Sequence, residues 1–340
     1  MVIEIKSDIF TDIGNLKDVN YLIGLFSNNR RYGYFCDISI IKDTELYGKL
    51  LDIEKLIIED YFNKYVSEST KMDFRIECNS SPTTFNLEEA KRYFIQPFII
   101  ILENRLNDSY FLNALITNFK KRGKTIKSHL DNGWLDYGNG GGLDNITNEV
   151  NAMMRPFDNL PKENYKYLRC FVLVDSDKKS PNDTTKQNRE NLFVFLNSVG
   201  IPYHELEKRE MENYLPNEVI ETIENNNDFI QAYLRLSDSQ KDYFDLEEGF
   251  IENLNSSSTE VQALYSSVTV EDYKVLRNNK IQLPPSFKAE FPKLFSHQKI
   301  TQETLKNRVS HQANDPNELE TILDKISKLL WAVKYKLSQR

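Results

Sequence analysis

The sequence predicts an α/β protein, with a central parallel sheet flanked by helices over residues 96–225, an α+β module over residues 1–95 and a helical region over residues 226–340. Three observations carry this expectation. From Pro97 onward, strand-like and helix-like segments alternate, the order that builds parallel sheets. Two segments, FIIIL at 98–102 and CFVLV at 170–174, are apolar without interruption, as strands buried on both faces are. Beyond residue 217 the strand-like runs stop and apolar residues recur at helical spacing.

The first region mixes strand-like MVIEI, GYFCDISII and MDFRIEC with a helix-like stretch, ELYGKLLDIEKLIIEDYFNKYV, in which Leu50, Leu51, Ile53, Leu56, Ile57, Tyr61 and Phe62 share a helical period. The turn-rich NSSPTTFN at 79–86 follows it. In the central region the strand PFIIIL is followed by a helix from about Ser109 to Lys121, an extended piece at WLDYG, the glycine cluster GNGGG at 138–142 and a helix from about Leu143 to Met154. The strand CFVLV, a helix near Gln187 to Val199 and the strand-like PYHEL complete it. The chain finishes in DPNELETILDKISKLLWAVKYKL. There Asp315 suits an N-cap and Pro316 the first helical position, while Leu319, Ile322, Leu323, Ile326, Leu330 and Val333 form one apolar stripe. The stripe reads as a packing face, with partner binding, including homo-oligomer formation, as the alternative.

The 340 residues are 40% hydrophobic and 12% aromatic, enough for well-filled cores. Three separated cysteines, four histidines and no CxxC argue against a structural zinc site and for a reducing cytoplasmic setting. No apolar run approaches the ~18 residues a membrane span needs, and the opening MVIEIKSDIFTDIG lacks the basic start of a signal peptide, so no membrane association is expected. The net charge of −8 supplies no global field for nucleic acid. It does not exclude such a partner, because a metal-dependent nuclease itself carries uncompensated carboxylates.

In a parallel α/β sheet, ligands sit outside the carboxyl ends of the strands. FIIIL runs into Glu103, and CFVLV runs into Asp175 and Asp177. If the two strands are neighbours, three carboxylates meet at one edge, where they raise one another's pKa unless a cation neutralises them. Carboxylates without histidine or cysteine are the hard ligand set of Mg²⁺ or Mn²⁺. The competing explanation is a solvated turn, since Asp and Glu favour strand ends and N-caps. HELEKREMENYLP at 204–216, with Glu207, Glu210 and Glu212, is either a solvated charge run or the source of a fourth ligand. Lys178, Lys179, Lys186 and Arg189 are candidate phosphate contacts or ordinary loop residues.

Four segments in this order, IIILENRLNDSYFL, YGNGGGLDNI, FVLVDSDKKS and KREMENYLP, resemble the TOPRIM domain, specifically that of the OLD-family and related anti-phage nucleases. The resemblance covers about residues 97–216 and implies a TOPRIM-like central domain. It also implies a divalent-metal-dependent endonuclease acting on DNA or RNA, as an effector of bacterial antiviral defence. Carried over by position, Glu103 is a metal ligand and acid/base, Asp175 and Asp177 hold Mg²⁺, and Glu212 completes a second metal site with Glu210 as fallback. The glycine turn offers N–H groups to phosphate. The catalytic lysine falls on Lys288, with Lys293 and Lys299 as rivals. The chain departs from the family where Asn104 follows the glutamate, Asn107 stands at the family's next acidic position and Asp108 comes one later.

RGKT at 122–125 lacks the glycine of a P-loop, since position 118 is Asn, so an ATPase would be a separate subunit, as would a sensor. Haloacid-dehalogenase-type phosphatases and DxD glycosyltransferases leave Glu103 unexplained. The alternative from another class is a catalytically inert TOPRIM-like subunit that binds nucleic acid or scaffolds a complex.

Overall fold

The computed structural model describes residues 1–28, 31–68, 72–184, 186–224, 226–250 and 253–331. Two all-parallel sheets organise the α/β fold. The first, in the order β2-β1-β3, is formed by β1 (Val2–Ile5), β2 (Gly33–Phe35) and β3 (Phe74–Ile76). The second, in the order β5-β4-β6-β7, is formed by β4 (Phe98–Leu102), β5 (Leu135–Asn139), β6 (Cys170–Val174) and β7 (Tyr203–Glu205).

The N-terminal region is therefore α/β rather than the α+β module expected. Parallel strands need crossovers, and the helices Leu16–Asn28 and Asp52–Ser67 lie in the connections between its three strands. GYFCDISII is strand only to Phe35. Asp37 then accepts from the backbone N–H of Ser39 at 3.1 Å and starts the short helix Ile38–Ile41. The long helix-like stretch divides into Glu45–Lys49 and Asp52–Ser67, with Leu50 and Leu51 extended between them.

In the central sheet β4 and β6 are direct neighbours, with Leu102 opposite Leu173. Every residue of β6 is buried, and alternate side chains enter different cores. Val172 and Val174 join a cluster with Ile101, Ile3, Tyr34 and Phe94 of the N-terminal region. Phe171 and Leu173 join Ile100, Leu102, Leu215, Phe229 and Leu319 on the other side. The helix expected from Ser109 spans Arg105–Asn118 and is followed by a second, Lys120–Asp131, inside which RGKT lies.

The C-terminal region is helical. Its last described helix, Glu318–Trp331, buries Leu319, Ile322, Leu323, Ile326 and Leu330 and packs on Lys120–Asp131 and Arg105–Asn118. Val333 lies outside the described residues. Asp315 still caps the helix start, accepting from Asn317 N at 2.9 Å and from Thr321 Oγ1 at 2.7 Å, although the helix begins only at Glu318.

Buried polar contacts fix this region to the tract after β7. Asp242 accepts from Lys208 Nζ, from Arg308 Nη1 at 2.7 Å and from His311 Nε2 at 2.6 Å. Glu318 accepts from Tyr214 Oη and from Glu207 N at 2.8 Å. Asn213 Nδ2 donates to the carbonyls of Lys241 and Phe244, both at 2.8 Å.

Candidate active site

The carboxyl edge of the central sheet gathers the acids of four segments. Glu103 follows β4 and Asp175 follows β6, and pairing of these strands sets them side by side. The backbone N–H of Asp175 donates to Glu103 Oε1 at 3.1 Å. Asp175 Oδ1 in turn accepts from the backbone N–H of Met211 at 3.0 Å, drawing the MENYL segment to the same edge. Two further bonds hold that segment there, from the N–H groups of Ser176 and Asp177 to Arg209 O at 3.1 and 2.8 Å.

The electrostatics are those of crowded acids with little compensating charge. Burial pushes Asp175 well above the ordinary carboxylate range, and Asp108, Glu103, Glu212 and Glu210 push it further. Burial raises Glu103 to about 7, with Arg189 opposing and Asp177 adding to the rise. Glu210 also rises to about 7, through burial, against Arg209 at 3.2 Å and with Glu212 and Asp245 reinforcing it. Glu212 is raised by burial, by Glu247 and by Asp245, while Lys288 opposes.

Asp108, which was not among the expected site residues, belongs to this group. Asn104 caps the helix Arg105–Asn118, accepting from Asn107 N at 3.3 Å, and Asp108 Oδ2 accepts from Asn104 N at 2.8 Å. This first-turn bond turns the Asp108 carboxyl back to the sheet edge, where burial, Glu212 and Glu103 bring it to about 7. The signal in the sequence was the N-cap Asn104 with an acid four residues on.

Asp177 is placed differently. Its backbone is left-handed, at φ 51°, and its Oδ2 is paired with Arg189 Nη2 at 2.8 Å and Lys186 Nζ at 3.5 Å. Arg189 is fully buried and also donates to Asp175 O, so it fastens the loop after β6 from beneath. Glu207, by contrast, faces Glu318 and lies outside the acid group. Lys288 Nζ stands 3.4 Å from Glu247 at the rim of the group, whereas Lys293 pairs with Glu290 at 2.7 Å and Lys299 donates to Glu218 O at 3.0 Å.

The glycine turn does not present N–H groups to a ligand as expected. Gly140 N donates to Leu102 O at 2.7 Å, Gly142 N to Glu103 O at 3.0 Å and Gly141 N to Asn139 Oδ1 at 3.3 Å. What requires glycine is proximity: a Cβ on Gly140 would stand 2.9 Å from Leu102 O and 2.6 Å from Ile146 Cγ1.

A hard divalent cation suits this donor set in kind, because Glu103, Asp108, Asp175, Glu210 and Glu212 are oxygen donors whose repulsion such a cation relieves. Among the described residues no group of three or more His, Cys, Asp or Glu side chains is arranged to hold a metal ion. Comparison with protein-family models, curated proteins and solved structures gave no match.

Proposed function

We propose that this protein is a divalent-metal-dependent nuclease of TOPRIM type that hydrolyses phosphodiester bonds of DNA or RNA, acting in bacterial defence against phage. The observation that carries the proposal is the setting of Asp175: it is bonded between Glu103 and Met211, and every resolved influence on its ionisation comes from burial or from another acid. A carboxylate so placed is protonated or shared with a cation.

In this proposal Glu103 and Asp175 hold Mg²⁺ or Mn²⁺, with Asp108, Glu210 and Glu212 completing the ligand set. Bound there, the cation supplies Lewis-acid activation of water and neutralisation of charge on the scissile phosphate. Glu103 Oε1 is fixed by the Asp175 N–H, which leaves Oε2 to take or return a proton near neutral pH. Lys288, 3.4 Å from Glu247, and the lysines of the loop after β6, Lys178 and Lys179, are the phosphate contacts in this proposal, and the Arg189–Asp177 pair keeps that loop in register. No helix among the described residues is long and apolar enough to cross a membrane.

The second reading is an inert subunit that binds nucleic acid or scaffolds a complex. The pairing of Asp177 with Arg189 and Lys186 favours it, since that carboxylate already has its counter-charge. The experiment that separates the two is incubation of supercoiled plasmid and total tRNA with purified protein in Mg²⁺, Mn²⁺ or chelator. Metal-dependent cutting supports the nuclease. Intact substrates under every condition, including in the presence of co-purifying subunits, favour the inert subunit.

A further inference from the structure

The opposite end of the central sheet carries a positive site that the acid cluster does not use. Arg169 immediately precedes β6 and Arg31 lies just before β2, and both are buried, at 4% and 6% exposure. Their guanidinium carbons lie 5.7 and 5.0 Å from the centroid of the Tyr32 ring, and that of Arg169 lies 5.4 Å from Tyr93.

Among the described residues, every hydrogen bond the two arginines make goes to a neutral acceptor. Arg31 Nη2 donates to Trp134 O at 3.3 Å, and Arg169 Nη1 donates to the Tyr32 hydroxyl and to Gln96 O at 3.4 Å. Arg31 Nε and Arg169 Nε and Nη2 are buried without a hydrogen-bond partner among the described residues. Burial and Arg169 lower Arg31 to about 10, whereas burial of Arg169 is outweighed by Tyr32 and Tyr93, which raise it, and no carboxylate is among these influences. His129 faces the same pair and is held neutral-ward by burial and by both arginines.

Two buried guanidiniums without a carboxylate partner among the described residues are costly to desolvate, and a bound anion would offset that cost. A cavity of about 230 Å³ adjoins Arg169, walled by Tyr93, Phe98, Leu168, Pro202 and Leu329. Its lining is predominantly apolar, with Arg169 as the charged group.

We propose that Arg169 binds the phosphate of a small phosphorylated molecule whose apolar part occupies this cavity, with Arg31, which shares the Tyr32 ring contact but is not among the cavity-lining residues, adding positive charge behind it. A guanidinium fork can bond two phosphate oxygens at once, and a second positive charge nearby favours the dianion over a single carboxylate. Arg169 and Asp175 bracket β6, so the site stands roughly 20 Å from the acid cluster at ~3.3 Å per strand residue. It is a second site, separate from the one proposed for hydrolysis.

The test uses the full chain in chelator, which keeps phosphate from being recruited through a metal at the acid cluster. Thermal melting and calorimetry are run with inorganic phosphate and with adenosine monophosphate, against chloride at equal ionic strength. The expected result is a saturable rise in Tm with one ligand per chain, lost in Arg169→Gln and weakened in Arg31→Gln. A full response to inorganic phosphate identifies the oxyanion itself as sufficient, and a response to the nucleotide alone identifies the apolar part as necessary.

No saturable response to either probe overturns the proposal. So does a response that survives in both variants, which places the anion elsewhere, as among Lys178, Lys179 and Lys186. If Arg169→Gln does not fold, Leu329→Trp, which narrows the cavity and keeps both guanidiniums, decides the location. Weakened nucleotide binding supports the site, and unchanged binding overturns it.

Discussion

The backbone N–H of Asp175 donates to Oε1 of Glu103 at 3.1 Å, so the end of β6 is bonded to the side chain that ends β4. Strand pairing alone would bring these acids near one another; the bond fixes one carboxylate against the backbone of the next. Burial and mutual repulsion then make the edge costly to ionise fully in the free protein.

Asp175→Asn keeps an oxygen to accept from Met211 N while removing the charge. The variant is expected to melt at or above the wild-type temperature, because it relieves repulsion, and to lose metal-dependent cleavage by on the order of 100-fold. Melting curves and a plasmid or tRNA cleavage assay on the same preparation check both halves.

The stability of the metal-free protein should depend on pH in a defined direction. Burial, with neighbouring acids, pushes Glu103, Asp108 and Glu210 up to about 7, above the value of about 4 for unfolded carboxylates. The folded state then holds protons that the unfolded state has released, so stability is full below pH ~4 from these groups and is lost as pH rises through ~7. Mg²⁺ should restore it, with a rise in Tm that is small at pH 5 and larger at pH 8. A Tm increment independent of pH would count against the acid cluster as the binding place.

Acid should act oppositely at Asp242. Burial would raise this carboxyl, but His311, Lys208 and Arg308 outweigh burial and hold it at about 2. Its contribution is present above pH ~4 and is lost as pH falls through ~2. Asp242→Asn leaves buried basic groups unpaired and is expected to destabilise by about 3–5 kcal/mol, measured by urea denaturation at neutral pH. A change within experimental error would show that the Asp242 ion pairs do not hold the C-terminal region in place.

Gly140→Ala places a methyl group 2.9 Å from Leu102 O and 2.6 Å from Ile146 Cγ1. The expected loss is about 1–3 kcal/mol, with cleavage reduced because the carbonyl of Glu103 is held by the same turn. Denaturation midpoints of the variant and of Gly133→Ala, which meets nothing within 4 Å but has the positive φ that Gly140 lacks, separate crowding from backbone strain.

The central strands were legible because β4 and β6 are buried on both faces and so read as unbroken apolar runs. The same logic placed Glu103 and Asp175 at one edge, and the C-terminal stripe was visible from its spacing. The parallel N-terminal sheet was not, because strands of three or four residues carry no sign of their direction. Asp108 was missed because its return depends on the capping geometry of Asn104, a feature of the folded turn. Lys208, Asp242 and His311 are far apart in sequence, and nothing in their local context marks them as partners. Arg31 and Arg169 were hidden for the same reason.

The central claim is that the acids around Asp175 bind a hard cation, and direct titration of Mn²⁺ followed by electron paramagnetic resonance tests it most closely. The account predicts saturable binding to the wild-type chain, competed by Mg²⁺ and weakened at least about tenfold in both Glu103→Gln and Asp175→Asn. Absence of bound Mn²⁺, or equal affinity in wild type and both variants, would contradict it.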